Sequence, residues 1–313
     1  MKRSKAKKIK RSRGQRVKGS RDKRKRVSRG GGNRTGKIPF AKMHGCGNDF
    51  ILVDCRKNEI ADLGKLAKRL CHRRFGVGAD QLLTIRPSKI ADFKMEIYNA
   101  DGGQVEMCGN GIRCFGKYLY EHGLSKKKEL EVETLAGIIR PRLIGDQVEV
   151  DMGEPILEGR KIPANADGRI LDYPLDVDGT KYQVSCVSMG NPHCVLFLDD
   201  VDHLDVEGIG PRFEYHPFFP KRVNTEFVEV LEPRDVRMRV WERGAGETWA
   251  CGTGACAVAV AGALTGRTER KITVHLLGGD LTIDWRGNNR VYMTGGAEEV
   301  FQGTVTIQEK MED

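Results

Sequence analysis

An internal repeat constrains this sequence more than any other feature. Residues 97–111 read IYNADGGQVEMCGNG and residues 240–254 read VWERGAGETWACGTG, and the two segments align without a gap. The alignment places Cys108 on Cys251 and gives both cysteines the same glycine spacing on their C-terminal side. A repeat of this length predicts two halves of similar architecture, each of which supplies one cysteine.

Local patterns predict an α+β fold in each half. Apolar and charged residues alternate at 93–97 and 236–240, directly before the cysteine motifs, which is the period of a half-buried strand. The segments after the motifs, Ile112–Tyr120 and Ala255–Ala263, are long enough for helices. The second is almost wholly apolar, so it should be buried on all sides. Residues 63–70 predict a conventional amphipathic helix.

The domain organisation follows from changes in composition along the chain. Residues 1–36 are predicted to be a disordered basic tail, because they contain too few apolar side chains to offset the entropy of folding. Residues 37–153 are predicted to form an N-terminal domain and residues 154–299 a C-terminal domain. The boundary is placed where an alternating strand ends in the turn residues of Gly153-Glu154-Pro155.

The formal net charge of +10 lies in the tail. Residues 1–36 hold 17 Lys or Arg and one acid, a net +16, so the remaining residues carry a net −6. Two interpretations of the tail stay open. One is a solvated appendage, or a start codon placed too early. The other is non-specific contact with nucleic-acid phosphates, without base stacking because no aromatic residues are interleaved.

The cysteine content predicts a reducing compartment. The nine cysteines are an odd number and include no C-x-x-C pair. No apolar segment has the pattern of a secretion signal or the length of a membrane span. We therefore expect a cytoplasmic protein that does not enter a membrane.

The position of the two repeated cysteines favours acid–base chemistry. A helix N-terminus stabilises a thiolate through its unpaired N–H groups and the helix dipole. The glycines beside Cys108 and Cys251 would let the same N–H groups approach a substrate carboxylate. If an approximate two-fold axis relates the halves, the two thiols approach one carbon from opposite sides. One thiol would then remove a proton and the other would deliver one, so their protonation states must be opposite.

Other site chemistries find less support in the sequence. The cysteines lack the short paired spacings of zinc sites, and neither of the common glycine-rich nucleotide motifs occurs, so no metal and no cofactor are predicted. The role of Cys46 is left open. The other cysteines are interpreted as small core residues: Cys55, Cys71, Cys114, Cys186, Cys194 and Cys256.

The motifs resemble those of the diaminopimelate epimerase family. The matching segments, in the family's order, are MHGCGNDFILVD (43–54), YNADGGQVEMCGNGIRC (98–114), NPHCV (191–195), RVNTEFV (222–228) and WERGAGETWACGTGACA (241–257). The resemblance extends over nearly everything after Lys37 and leaves the tail out.

The resemblance implies a fold and an activity. The fold has two pseudo-symmetric domains, each with strands wrapped around a central helix, and an active site in the cleft between them. The last strand, about 300–313, would complete the first domain. The activity is interconversion of LL- and meso-2,6-diaminoheptanedioate without pyridoxal phosphate or metal, in the biosynthesis of lysine and cell-wall precursor. Family members are commonly homodimers.

The resemblance also implies roles for individual residues. Cys108 and Cys251 would be the catalytic base and acid. Backbone groups of Gly109, Asn110, Gly252 and Thr253 would hold the carboxylate at the reacting centre. Glu242 and His193 match polar groups that lie near the reacting amine in the family, and Gln81 matches a residue that lines the pocket. The distant amino-acid end would be held by Asn48, Asn99, Asn191, Asn224 and Arg243. The sequence departs from the commonest family pattern at Gly103-Gln104 and at Trp249.

Two rival functions remain. A proline or hydroxyproline racemase would share the architecture and the two cysteines, but its first motif ordinarily reads Cys-Gly-His-Gly, whereas Asn110 stands at that place here. A nucleic-acid-binding protein on an epimerase scaffold is suggested only by the tail. Intact Cys108 and Cys251 argue against this second rival.

Overall fold

The described part of the chain consists mostly of strands. The computed structural model describes residues 35–57 and 60–308. Nearly all of the predicted basic tail, residues 1–36, lies outside the described residues. Its disorder and its contact with nucleic acid therefore stay predictions.

The first half of the described chain holds seven strands and two helices. The strands are β1 (Thr35–Gly45), β2 (Asn48–Asp54), β3 (Gln81–Arg86), β4 (Phe93–Asn99), β5 (Gln104–Val105), β6 (Val132–Thr134) and β7 (Gly137–Ile139). The helices are α1 (Leu63–Cys71) and α2 (Gly109–Glu121).

The second half of the described chain holds twelve strands and two helices. Its strands are β8 (Pro141–Ile144), β9 (Gln147–Asp151), β10 (Tyr173–Val177), β11 (Thr180–Ser188), β12 (Pro192–Phe197), β13 (Asn224–Glu232), β14 (Asp235–Glu242), β15 (Gly246–Thr248), β16 (Lys271–Leu276), β17 (Gly279–Trp285), β18 (Val291–Gly295) and β19 (Glu298–Gln308). Its helices are α3 (Val206–Glu214) and α4 (Gly252–Leu264), and a single 3₁₀ turn covers Gly159–Lys161.

The strands form two sheets. The first has eight strands in the order β19-β1-β2-β3-β4-β6-β7, and β5 pairs with β4. The second has eleven strands in the order β10-β11-β12-β13-β14-β16-β17-β18-β9-β8, and β15 pairs with β14. The C-terminal strand β19 thus joins the first sheet, whereas β8 and β9 join the second. The domain bounds at 153–154 and 299 stay a prediction.

The sequence repeat corresponds to a repeated structural unit. Strands β4 and β14 both alternate between buried and partly exposed residues, which confirms the strand prediction. Each ends at the same repeat position, Asn99 in the first unit and Glu242 in the second. Helices α2 and α4 then begin at equivalent positions and both have 13 residues.

The two repeat helices are the centres of the two halves. Helix α4 contacts strands β11, β12, β13, β16, β17 and β18, all in the second sheet. Its run from Gly254 to Gly262 is buried throughout, which confirms the prediction from its apolar composition. Helix α2 contacts β2 and β3 of the first sheet and β8 and β9 of the second. A helix enclosed in this way cannot shift along its axis without disturbing many strands.

The two other helices are amphipathic and have ordinary caps. The predicted amphipathic helix is confirmed as α1, whose buried face includes Leu63, Leu66 and Leu70. Asp62 caps α1 by accepting from the N–H of Lys65. An aspartate also caps α3. None of the described helices has the length and apolar character that crossing a lipid bilayer requires.

Truncation of Phe115 should test the central position of α2. Phe115 is fully buried in the core of the first half, whereas Phe75 is 86% exposed. We expect Phe115→Ala to lower the free energy of unfolding by about 3–5 kcal/mol, because it leaves a cavity that the enclosed helix cannot fill. Phe75→Ala should change it by about 0.5 kcal/mol or less. Urea titration of both variants measures the difference, and equal losses would contradict the packing described for α2.

Candidate active site

Both repeated cysteines are the N-cap residues of the central helices. Cys108 caps α2, and its Sγ accepts from the N–H of Gly111 over 3.5 Å. Cys251 caps α4, and its Sγ accepts from the N–H of Gly254 over 3.4 Å. The prediction that each motif begins a helix is confirmed. A sulfur in this position receives the N–H bond that a serine or aspartate oxygen ordinarily receives, and its anion is stabilised by the helix dipole.

The two thiols line one cleft. The cleft has a volume of about 1360 Å³. Twelve of the predicted site residues line it: Asn48, Gln81, Asn99, Cys108, Gly109, Asn110, Asn191, Glu242, Arg243, Cys251, Gly252 and Thr253. The two predicted residues that do not line it, His193 and Asn224, lie directly behind its wall and are buried. The structure therefore gathers the predicted residues around a single space.

Met293 of β18 lies between the N-termini of α2 and α4. A Cβ added at Gly109 would lie 3.0 Å from Met293 Cε, and one at Gly252 would lie 2.9 Å from Met293 Sδ. A side chain at either position would therefore have to push aside the end of this buried methionine side chain. Asn110 adds a polar link, since its Nδ2 donates to Asn48 Oδ1 at 3.2 Å and to the carbonyl of Ala250 at 3.5 Å.

Cys108 lies in a mostly neutral polar environment. Its thiol donates to Asn48 Oδ1 at 3.6 Å, and Asn48 is oriented by its own Nδ2, which donates to Asp80 at 2.8 Å. Burial raises the pKa of Cys108, while the N–H groups of Gly111 and Asn110 lower it. Asn48 therefore contacts the Cys108 thiol directly.

Cys251 lies among acidic groups. Burial raises its pKa well above the ordinary value, and the nearby carboxylates of Glu242 and Glu226 raise it further. Thr253 Oγ1 lies 3.5 Å from its Sγ. Burial also raises the pKa of Glu242, whose carboxylate accepts from Thr248 Oγ1 at 2.5 Å. Cys251 thus has more negative charge around it than Cys108 does.

A buried histidine–glutamate pair supports the wall of the cleft. His193 Nδ1 lies 2.6 Å from Glu226 Oε1, and both side chains have no exposed surface. His193 Nε2 lies 3.0 Å from Asn191 Oδ1, so the imidazole connects Glu226 to a residue that lines the cleft. Glu226 was missed by sequence reasoning, although a glutamate within the apolar strand RVNTEFV was a usable signal.

His193, Glu226 and Cys251 could together serve as metal ligands by their chemistry. One ligand atom from each lies within 4.8 Å of the other two. However, the histidine and glutamate atoms already satisfy each other through the 2.6 Å contact. The prediction that the site uses no metal stays a prediction.

Polar residues at the ends of strands lie in other parts of the cleft wall or directly behind it. Gln81 Nε2 donates to Asn99 Oδ1 at 2.8 Å, at the paired ends of β3 and β4. Asn224 Oδ1 accepts from the backbone N–H of Arg243 at 2.8 Å. The Arg243 guanidinium donates to the Lys221 carbonyl at 3.0 Å.

The departure from the family pattern at Trp249 lies at the cleft. Trp249 is 64% exposed and lines the cleft, as does Gln104. A Cβ at Gly47 would lie 2.8 Å from the Trp249 ring, and Gly47 also has a φ of +78°. The large ring therefore fits only because glycine occupies position 47.

Comparison with known proteins agrees with this geometry. The sequence model of the diaminopimelate epimerase family matches residues 40–158 and 185–300. A diaminopimelate epimerase of Moorella thermoacetica is 58% identical over 272 residues, which cover 84% of this chain and 98% of that protein. A diaminopimelate epimerase of Acetivibrio thermocellus is 53% identical over 277 residues, which cover 86% of this chain and 99% of that protein.

Solved structures share the fold at low sequence identity. A phenazine biosynthesis protein of the PhzF family from Bacillus anthracis has a TM-score of 0.66 at 16% identity, covering 87% of this chain and 100% of that one. A hydroxyproline epimerase from Agrobacterium vitis has a TM-score of 0.64 at 14% identity, covering 90% and 95%. These likenesses show the two-domain α+β fold alone. The sequence matches, together with the paired cysteine caps, show that the chain belongs to the diaminopimelate epimerase family.

Proposed function

We propose that this protein interconverts LL- and meso-2,6-diaminoheptanedioate by proton transfer between two thiols. The observation that carries the proposal is the placement of Cys108 and Cys251 as N-caps of equivalent helices that line one cleft. The relatives that are 53–58% identical and bear the name diaminopimelate epimerase support the choice of substrate.

The reacting carboxylate binds at the two helix N-termini. The N–H groups of the first helical turn have no carbonyl partner within the helix. Gly109 and Asn110 present such groups from α2, and Gly252 and Thr253 present them from α4. These N–H groups also stabilise the negative charge that develops on the carboxylate when the α-proton leaves.

The proton transfer uses the two thiols in opposite states. The thiolate of one cysteine takes the α-hydrogen as a proton, and the C–H electron pair remains on the substrate. The thiol of the other cysteine then gives its proton to the opposite face of the same carbon. The configuration at that carbon is inverted, and the two cysteines have exchanged protonation states. The reverse reaction begins from this exchanged state.

The remaining polar residues bind the two ends of the substrate. We propose that Glu242, with His193 in support, lies near the reacting amine, because Glu242 is close enough to Cys251 to raise its pKa. Gln81 lines the pocket. The distant end, which does not react, is assigned to Asn48, Asn99, Asn191, Asn224 and Arg243. Asn48 and Asn224 would act partly through neighbours, since Asn48 contacts Cys108 and Asn224 holds the Arg243 backbone.

Further parts of the proposal concern the state of the protein in the cell. We propose a cytoplasmic homodimer without pyridoxal phosphate. The nine cysteines are all unpaired, which suits a reducing compartment and leaves both reacting thiols free. Dimer formation is supported by the family resemblance.

Replacement of either thiol should abolish epimerisation. Cys108→Ala and Cys251→Ala each remove one of two obligatory proton carriers, so kcat should fall by about 10³-fold or more. Cys114→Ala and Cys256→Ala are matched controls, because these buried cysteines lie in the same two helices and face the core. The controls should retain most of the activity. Chiral chromatography of the product measures the rates, and a Cys251→Ala variant with control-level activity would end the two-thiol assignment.

The pH dependence should reflect the raised thiol pKa values. Burial raises the pKa of both Cys108 and Cys251, so the thiolate is the minor form at neutral pH. We expect kcat/KM to rise as the pH increases above 7 and to fall again when the second thiol ionises. Initial rates in both directions between pH 6 and 11 test this expectation. A profile that declines from pH 7 to 9 would mean that the reaction does not require a thiolate.

A substrate without the distant end should lose turnover as well as affinity. Binding energy from that end closes the cleft and excludes water from a difficult proton abstraction. L-2-aminoheptanoate lacks the second amino and carboxylate groups, so its kcat should be lower by about 10²-fold. α-Deuterium exchange in D₂O measures turnover of both compounds. Equal kcat values would show that the distant end contributes binding only.

A further inference from the structure

Arg113 is a buried cation without an anionic partner among the described residues. It is fully buried in α2, one turn after Cys108. Its guanidinium donates to the carbonyls of Gly109 and Gly296, each at 3.3 Å. It also contacts two sulfur atoms, Met293 Sδ and Cys46 Sγ, each at 3.6 Å. Two of these four acceptors are backbone carbonyls, one is a thioether and one is the Cys46 thiol, so none of them carries a negative charge.

Such an arrangement is costly for folding. A guanidinium stays protonated at any ordinary pH, so the free-energy cost of burying it cannot be lowered by loss of its charge. Burying an unpaired charge costs several kcal/mol even after relaxation. Proteins tolerate violations of this kind mainly where the group serves a function. The charge therefore calls for a role beyond packing.

The structure is shaped to hold this guanidinium. A Cβ at Gly45 would lie 3.1 Å from Nη2, and one at Gly295 would lie 3.2 Å from Nε. Side chains at either position would crowd the guanidinium. Gly45 ends β1 of the first sheet and Gly295 ends β18 of the second, so the cation is held between strands of both sheets.

A chain of contacts connects Arg113 to the residue beside each of the two thiols. Gly109 is the residue after Cys108, and Met293 separates Gly109 from Gly252, the residue after Cys251. Arg113 therefore touches the side chain on which both helix N-termini rest.

The charge also distinguishes the two thiols. After burial and the backbone N–H groups, Arg113 lowers the pKa of Cys108, and Glu242 raises it. Around Cys251, by contrast, both Glu242 and Glu226 raise the pKa. Arg113 also lowers the pKa of the core thiols Cys46, Cys114 and Cys256, and Asp280 opposes it at Cys46.

We propose that Arg113 is a positioning residue whose unpaired positive charge makes Cys108 the more readily ionised of the two thiols. The same guanidinium fixes the spacing of the two helix starts through Met293. This role rests on the proposed function of Cys108 as a proton carrier. Cys108 is then the thiol that more readily supplies the base in the free enzyme.

Charge removal at position 113 tests the proposal. Arg113→Met keeps an apolar stem but no charge, and Arg113→Lys keeps the charge but not the planar fork. The readout is the rate at which iodoacetamide alkylates Cys108 between pH 6 and 11, followed by mass spectrometry of the Cys108 peptide. Arg113→Met should raise the midpoint pH by about 1 and slow alkylation at pH 7 by about tenfold. Arg113→Lys should keep the midpoint near that of the wild type.

A second pair of variants avoids removing the arginine. Cys46 has a φ of +53°, a conformation that Asp and Asn tolerate better than most residues. Cys46→Asp places a carboxylate where the thiol now contacts Arg113, and Cys46→Asn is its uncharged match. Only Cys46→Asp should raise the Cys108 midpoint. If Arg113→Met does not fold, equal midpoints for this pair still overturn the proposal.

The outcomes separate this inference from the proposed function. Folded Arg113→Met with an unchanged Cys108 midpoint, or equal midpoints for Cys46→Asp and Cys46→Asn, would overturn the role of Arg113. Neither result would affect the two-thiol mechanism, because alkylation does not require turnover. Conversely, an active Cys108→Ala variant would refute the mechanism whatever the alkylation midpoints show.

Discussion

The active site depends on one interaction, the capping of two central helices by cysteine sulfur. The outer helices α1 and α3 have aspartate caps, as helices ordinarily do. An aspartate cap would remain ionised throughout the physiological range and could not hold a proton for transfer. A thiol in the same place still accepts the N–H bond, yet it can hold a proton at neutral pH and give it up as a thiolate. The proposed mechanism thus takes its acid–base groups from a position that any helix must fill.

The convergence of the two caps requires a particular interior. Glycine at 109 and 252 lets both helices approach Met293, and the enclosing strands hold the helices in place.

Charged residues make the surroundings of the two cysteines different, although the repeat makes their backbone positions similar. Arg113 belongs to the first repeat, while position 256, its counterpart in the second, is Cys256 and carries no cation. Glu242 occurs in the second repeat, and its counterpart Asn99 is neutral. In the proposed mechanism the two thiols hold one proton between them, and this charge difference favours one of the two arrangements.

Local sequence patterns were sufficient to predict the elements that carry the site. The alternation in β4 and β14, the apolar character of α4 and the cysteines at helix starts all depend on neighbours along the chain, and all are observed. Contacts between distant residues were not predictable in this way. The pairing of Glu226 with His193, the contact of Arg113 with Met293 and the membership of β9 in the second sheet each join segments with no shared pattern. The family resemblance gave residue roles, but it did not indicate that Asn48 contacts Cys108.

The central claim is that separate groups act on opposite faces of one carbon, and the fate of the α-hydrogen tests it most directly. A thiol on one face of the carbon cannot deliver a proton to the opposite face, so the new hydrogen must come from the other thiol, whose S–H exchanges with solvent. With LL-diaminopimelate in D₂O at early reaction times, the meso product should carry one α-deuterium at the inverted centre, while recovered LL substrate should carry none. A product that retains the original hydrogen, or substrate that gains deuterium as fast as product forms, would contradict the account.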